Sequence, residues 1–139
     1  MKILILNGPN LNRQGVRDVA HYGTQTFEEL LTELRRDYAA YTIDYRQSNL
    51  EGELIDALQQ AEGVYDGIVL NGGGYTHTSV ALRDAVASIS TPVVEVHISN
   101  IAAREEFRHT SLRTPVCRGA ILGFGLQGYR LALESFSIL

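Results

Sequence analysis

Glu95 and His97 sit two residues apart in Val93-Val94-Glu95-Val96-His97-Ile98, where the apolar neighbours mark a buried strand. Side chains two apart on a strand point to the same face. A carboxylate beside an imidazole orients the ring and stabilises its protonated form, which is how a general acid is assembled. A sheet covered on both faces leaves Glu95 half-buried and in need of a partner. A satisfied structural Glu–His pair is the competing reading. The place of the pair at the carboxyl end of its strand, beside Ser99 and Asn100, favours chemistry.

Three other segments carry groups that could act. Residues 8–25 form a long loop holding Asn10, Arg13, Gly15, Arg17, His21, Tyr22 and Gly23. A tyrosine near an arginine has its phenolate favoured and can serve as a base. Long loops with glycine hinges also act as lids over sites. The alternative is a surface loop with solvated arginines. Asn71-Gly72-Gly73-Gly74-Tyr75-Thr76-His77-Thr78-Ser79 combines glycines at a strand end, which let backbone N–H groups approach a ligand, with Asn71 and His77, which can read hydroxyls. A tight strand-to-helix turn capped by Thr78 or Ser79 explains the same glycines. Arg104 and Arg108 could hold a carboxylate, although a solvated helix with Glu–Arg pairs accounts for them equally.

The elements that must position these groups alternate regularly. Ile3 to Leu6 is a short, fully apolar run, read as a strand buried on both faces. Thr26-Phe27-Glu28-Glu29 is a capping box opening a helix with Phe27, Leu30, Leu31, Leu34 and Tyr38 on one face. Thr42 to Arg46 is a second strand. Ser48-Asn49-Leu50-Glu51 reads as another capping box, before Leu50, Leu54, Leu58 and Ala61. Gly67 to Leu70 is a third strand, followed by a helix carrying Leu82, Ala85, Val86 and Ile89. After the strand Val93 to Ile98, residues 102–113 read as one or two short helices. Val116 to Leu122 is the fifth strand and Leu126 to Phe136 the last helix. Five strands alternating with helices predict an α/β doubly wound parallel sheet of flavodoxin-like order in a single domain, residues 1–139. Ligands bind such sheets beyond the carboxyl ends of the strands, where the three candidate loops begin.

Composition removes several classes of function. The chain has 139 residues, 12 basic against 16 acidic, for a net charge of −4. With a pI of about 5.5 it lacks the basic footprint of a sequence-independent nucleic-acid binder. Eleven of the 12 basic residues are Arg. An imine-forming or phosphate-clamping lysine would have to be Lys2, and no Gly-x-x-x-x-Gly-Lys-Ser/Thr loop exists. One cysteine, Cys117, excludes an intramolecular disulfide and a multi-cysteine metal site. The four histidines show no paired ligand spacing. Gly123-Phe124-Gly125-Leu126-Gln127-Gly128 matches a dinucleotide-binding pattern, but only 11 residues follow it, too few for the strand and acidic residue such a site needs. No apolar run approaches a membrane span, and Met1 to Leu6 reaches Asn-Gly-Pro too soon for a signal peptide. A soluble, cytoplasmic setting is the expectation.

Taken together, Asn7-Gly8-Pro9-Asn10-Leu11-Asn12, Arg17, Tyr22-Gly23, Arg46-Gln47-Ser48-Asn49, Asn71-Gly72-Gly73-Gly74, Thr76-His77-Thr78-Ser79, Leu82-Arg83-Asp84-Ala85, Glu95-Val96-His97-Ile98-Ser99-Asn100 and Arg104-Glu105-Glu106-Phe107-Arg108 resemble the type II 3-dehydroquinate dehydratases, in order and over nearly the whole chain. The resemblance implies anti elimination of water from 3-dehydroquinate to 3-dehydroshikimate, in aromatic biosynthesis or quinate breakdown, with no metal or organic cofactor. It matches Tyr22 to the base, Arg17 to the lid arginine that lowers its pKa, and Asn10 to the holder of a water against the enolate oxygen. His97 matches the general acid and Glu95 its orienting carboxylate. Asn71, His77 and Arg108 match readers of substrate hydroxyls, and the Ile98 N–H and Ser99 match a carboxylate clamp. Asp84 matches a residue reaching into a neighbouring subunit's site, and lies about 200° around its helix from Leu82. A dodecamer built from trimers is implied as well.

The chain departs from the family pattern in the lid, where Arg13-Gln14-Gly15-Val16-Arg17-Asp18-Val19 replaces Leu-Leu-Gly-x-Arg-Glu-Pro. Proline rigidity is lost and an arginine gained. Type I dehydroquinases work through a lysine imine. Lys2, at the amino end of the first strand, is on the wrong side of the sheet for that route. Two rival readings are a nucleotide- or phosphate-binding module using Gly72 to Gly74, and a catalytically silent oligomer of the same fold.

Overall fold

The computed structural model describes residues 1–16, 20 and 23–139. Among the described residues, nine strands and α-helices follow one another: β1 (Lys2–Asn7), α1 (Phe27–Asp37), β2 (Thr42–Gln47), α2 (Glu51–Ala61), β3 (Gly67–Asn71), α3 (Val80–Ser88), β4 (Val93–His97), β5 (Gly119–Leu122) and α4 (Gln127–Ser135). The five strands form one parallel sheet in the order β2-β1-β3-β4-β5, as the alternation predicts.

β1 shows why its run is apolar throughout. Ile3 and Ile5 face one layer, with Val69, Val94 and Val96, against Phe27, Leu30 and Leu34 of α1 and Tyr129, Ala132 and Leu133 of α4. Leu4 and Leu6 face the other, with Ile68, Leu70 and Val93, against Leu54 and Leu58 of α2 and Leu82 and Val86 of α3. Each side chain alternates between two dry layers, so no polar position is available until the strand ends at Asn7. In the ladder Asn7 pairs with Gln47 on one side and Asn71 on the other, and His97 pairs with Leu122. The polar residues thus line up along the carboxyl edge.

Caps explain where the helices begin. Thr26 caps α1 by accepting from the Glu29 N–H at 3.2 Å. Ser79 caps α3, accepting from the Leu82 N–H at 2.9 Å. The expected box at Ser48 is displaced. α2 starts at Glu51 with Leu50 at its cap and no side-chain cap bond. The Ser48 hydroxyl instead accepts from the Leu50 N–H and bonds to Glu53, while the Glu51 carboxylate accepts from Ser79 at 2.5 Å. Glu51 therefore ties α2 to the start of α3.

Tyr38 is the cap after α1 rather than its last residue. β4 ends one residue early, at His97. The fifth strand starts at Gly119 rather than Val116. Thr114–Val116 is a 3₁₀ turn because Pro115 has no N–H to give a ladder. The crossover from β4 to β5 contains no α-helix, only short 3₁₀ turns such as Ile101–Ala103 and Glu106–Arg108. That irregular segment lies over the sheet beside Glu95. The glycine run Gly123–Gly128 docks on β4: the Gly123 and Gly125 N–H groups donate to the His97 and Ile98 carbonyls.

Candidate active site

At the carboxyl edge, the loops after β1, β3 and β4 enclose a cavity of about 130 Å³. The floor is made by close approach of two loops. The Gly8 N–H donates to the Asn71 carbonyl at 2.7 Å, and a Cβ on Gly8 would lie 2.6 Å from the Gly72 oxygen. Gly73, at φ 57°, sits so near Pro9 that a Cβ would lie 2.9 Å from its oxygen. Asn10 is the single described non-glycine residue at positive φ, 70°, and its N–H donates to Asn49 Oδ1. Asparagine tolerates the left-handed region better than most residues, and strain held by surrounding contacts is common at functional sites.

The sequence-predicted groups separate into four sets. Asn10, Asn71, His77, His97, Ile98, Ser99 and Arg108 all line the cavity. Glu95 lies one layer beneath, 0% exposed. Asp84 is exposed on α3, away from the cavity. Arg17 and Tyr22, and His21 between them, lie outside the described residues.

His97 is 5% exposed, with Nε2 3.2 Å from Glu95 Oε1, in contact but not in line for a hydrogen bond. Glu95 is held from the other side: Ser111 Oγ donates at 2.6 Å to Oε1 and Thr114 Oγ1 at 2.6 Å to Oε2. Burial alone pushes this carboxyl up. His97, Ser111 and Thr114 outweigh burial and hold it at about 2. Glu95 is therefore a carboxylate across the neutral pH range. The His77 ring lies 6.5 Å from that of His97 and donates through Nδ1 to the Thr110 carbonyl at 2.8 Å. Burial lowers its pKa, and repulsion by His97, Arg108 and Arg113 adds to this against the Thr110 carbonyl. A neutral His77 leaves Nε2 as an acceptor for a hydroxyl.

Asn71 is oriented by the core. Its Nδ2 donates to the Tyr129 phenol oxygen at 2.9 Å, its Oδ1 accepts from the Gly73 N–H, and the Tyr129 hydroxyl donates to Asn7 Oδ1 at 2.8 Å. Burial holds the Tyr129 phenol far above its ordinary pKa, so it stays a neutral donor. One Nδ2 hydrogen of Asn71 is left for the cavity. Arg108 donates through Nε to Glu105 and stacks over Phe107 at 4.8 Å. Arg104, read from the sequence with Arg108 as a possible holder of a carboxylate, also lines the cavity and reaches Ser99 Oγ at 3.4 Å. Ser111, Thr114, Asn7 and Tyr129 were hidden from sequence reasoning, because their roles depend on tertiary contacts with no local spacing.

Among the described residues no three His, Cys, Asp or Glu side chains are grouped to hold a metal ion. The glycine loop is also poorly disposed toward phosphate. The Gly73 and Tyr75 N–H groups are taken by Asn71 Oδ1 and the Gly72 carbonyl. What the cavity offers is a set of hydroxyl-reading groups, two arginines and a carboxylate-backed imidazole, suited to a small, polar, anionic molecule.

The family described as dehydroquinase class II matches residues 1–137. A 3-dehydroquinate dehydratase of Bacillus pumilus is 58% identical over 133 residues, 94% of this chain and 90% of the relative. One of Bacillus cytotoxicus is 54% identical over 134 residues, 95% of this chain and 92% of the relative. The crystal structure of a type II dehydroquinase from Butyrivibrio crossotus superposes with a TM-score of 0.95 at 47% identity, covering 99% of this chain and 97% of that one. Agreement of this extent, in sequence and in backbone, means that the chain belongs to the class II dehydroquinases.

Proposed function

We propose that the chain is a 3-dehydroquinate dehydratase that eliminates water through an enolate, with Tyr22 as base and His97 as general acid. The observation that carries this reading is the His97–Glu95 pair in the wall of the cavity. The ketone acidifies the neighbouring C2–H only modestly, so the base must be strong and the enolate stabilised. Tyr22, with Arg17 beside it to favour phenolate, takes the proton, and Asn10 holds a water against the developing oxyanion. His97 then gives its proton to the departing C1 hydroxyl, which leaves as water, and the imidazole becomes neutral beside Glu95. Asn71, His77 and Arg108 read the ring hydroxyls, while the Ile98 N–H and Ser99 clamp the carboxylate. The acid and the base are both side chains, so the reaction proceeds without a metal or organic cofactor, in the cytoplasm, as a step of aromatic biosynthesis or quinate breakdown.

Anti elimination needs acid and base on opposite faces of the ring. In this reading the base comes from the loop of residues 8–25 and the acid from the end of β4. In this reading Asp84, exposed on α3, serves a neighbouring subunit's site in a dodecamer built from trimers. The test is direct: 3-dehydroquinate added to the protein produces the ultraviolet absorbance of the conjugated enone, and the rate survives chelation and dialysis. No absorbance change at any pH between about 6 and 9 overturns the reading.

A further inference from the structure

Among the described residues, Arg113 is the largest side chain buried completely, at 0% exposure. Its Nη2 donates to Thr76 Oγ1 at 2.6 Å. The guanidinium lies flat enough on the Gly72 backbone that a Cβ there would sit 2.3 Å from Nη2 and 2.5 Å from Cζ. Nε and Nη1 find no acceptor among the described residues, and no carboxylate pairs with the group there. Stripping water from a guanidinium for one hydrogen bond is costly, and burial lowers its pKa accordingly. Acting through space, Glu95 first and then Cys117 raise it against burial. The two charges share a segment: Ser111 and Thr114, which hold Glu95, flank Arg113, and Ser111 Oγ accepts the Arg113 N–H.

We infer that Arg113 is the fixed counter-charge of Glu95, a positioning residue that sets how tightly His97 holds its proton. This rests on His97 being the acid. Facing Glu95 alone, an imidazolium is well populated but reluctant to give up its proton, because the whole negative potential falls on it. A buried guanidinium cancels part of that potential and makes the imidazolium a better donor. The other groups around the pair differ in kind. His77 comes from the turn after β3, and Arg104 and Arg108 from the loop after β4; all three line the cavity. Arg83 of α3 is engaged with the Leu112 carbonyl. Burial and then Glu95 push the Cys117 thiol up to about 12, so it is neutral. β5 sets Ala120 and Leu122 opposite Glu95 and His97, neither charged. Among the described residues, Arg113 is the only cationic side chain that is wholly buried.

The experiment compares Arg113→Met, which removes the charge, with Arg113→Lys, which keeps it. The readouts are the His97 titration by NMR and the pH profile of kcat. In Arg113→Met the His97 titration rises by about one pH unit and the alkaline limb of kcat moves with it. In Arg113→Lys both stay near the native values. An unmoved His97 titration in folded Arg113→Met, or an equal shift in both variants, overturns the inference. If Arg113→Met does not fold, the double variant with Glu95→Gln decides. Counter-charges make the double variant more stable than Arg113→Met alone, whereas a further loss of stability overturns the proposal. The NMR titration needs no turnover, so the acid assignment is judged separately. Turnover surviving in His97→Ala removes that assignment while leaving the shift to be read.

Discussion

Glu95 and His97 concentrate the chemistry of the site. Removing a general acid costs about 10²- to 10⁴-fold in rate, so His97→Ala is expected to lose that much kcat with substrate affinity still measurable by calorimetry. Tyr22→Phe is expected to reduce turnover at least as far, again with binding retained; near-normal turnover would exclude it as the base. Glu95 also carries a pH signature. Its folded pKa of about 2 lies below the ordinary 4.5, so the unfolded chain takes up a proton more readily. Its contribution to stability is complete above about 4.5 and is lost as the pH falls toward about 2. Between about pH 5 and pH 3 the native protein should lose melting temperature more steeply than Glu95→Gln, which has no such proton to gain. Equal slopes would mean that the carboxyl is not held down. At this scale the sequence was informative where a pair lay on one strand, as with Glu95 and His97. It was silent where partners came from afar. Arg113 ends a stretch without periodicity, and only the folded chain puts it against Gly72.

Among the elements, the loops after β1 and β3 show how much the site depends on backbone approach. Gly8→Ala places a methyl 2.6 Å from the backbone oxygen of Gly72, which cannot swing aside. A loss of more than about 2 kcal/mol in chemical denaturation is expected. Gly74→Ala meets nothing within 4 Å and should change stability by less than about 0.5 kcal/mol. At the same carboxyl edge of the sheet, Thr26→Ala removes the α1 cap and should cost about 1 kcal/mol. Helices and strands were legible because their signals are local: Thr26 and Ser79 cap where capping residues were expected, and the apolar runs are the buried strands. The Ser48 box failed because its glutamate found a better partner across space, in Ser79. The crossover after β4 failed to announce its part in the site because short 3₁₀ turns have no amphipathic face to detect.

Across the whole molecule, the site draws on residues from Asn10 to Thr114, and the sheet order brings them to one edge. The proposed assembly belongs to this scale: light scattering should report a mass several times that of the 15.4 kDa chain, and Asp84→Ala should lower kcat without unfolding the protomer. The hydrogen bond between Tyr129 and Asn7 spans 122 residues, nearly the full chain. It closes a very large loop, whose entropic cost must be met before the bond gives anything back. During synthesis β1 precedes the other strands, but its Asn7 and the neighbouring Asn71 wait for the last helix. A nascent chain can pair four strands and still lack an oriented cavity, so substrate affinity, more than helix content, should mark the moment at which folding is complete.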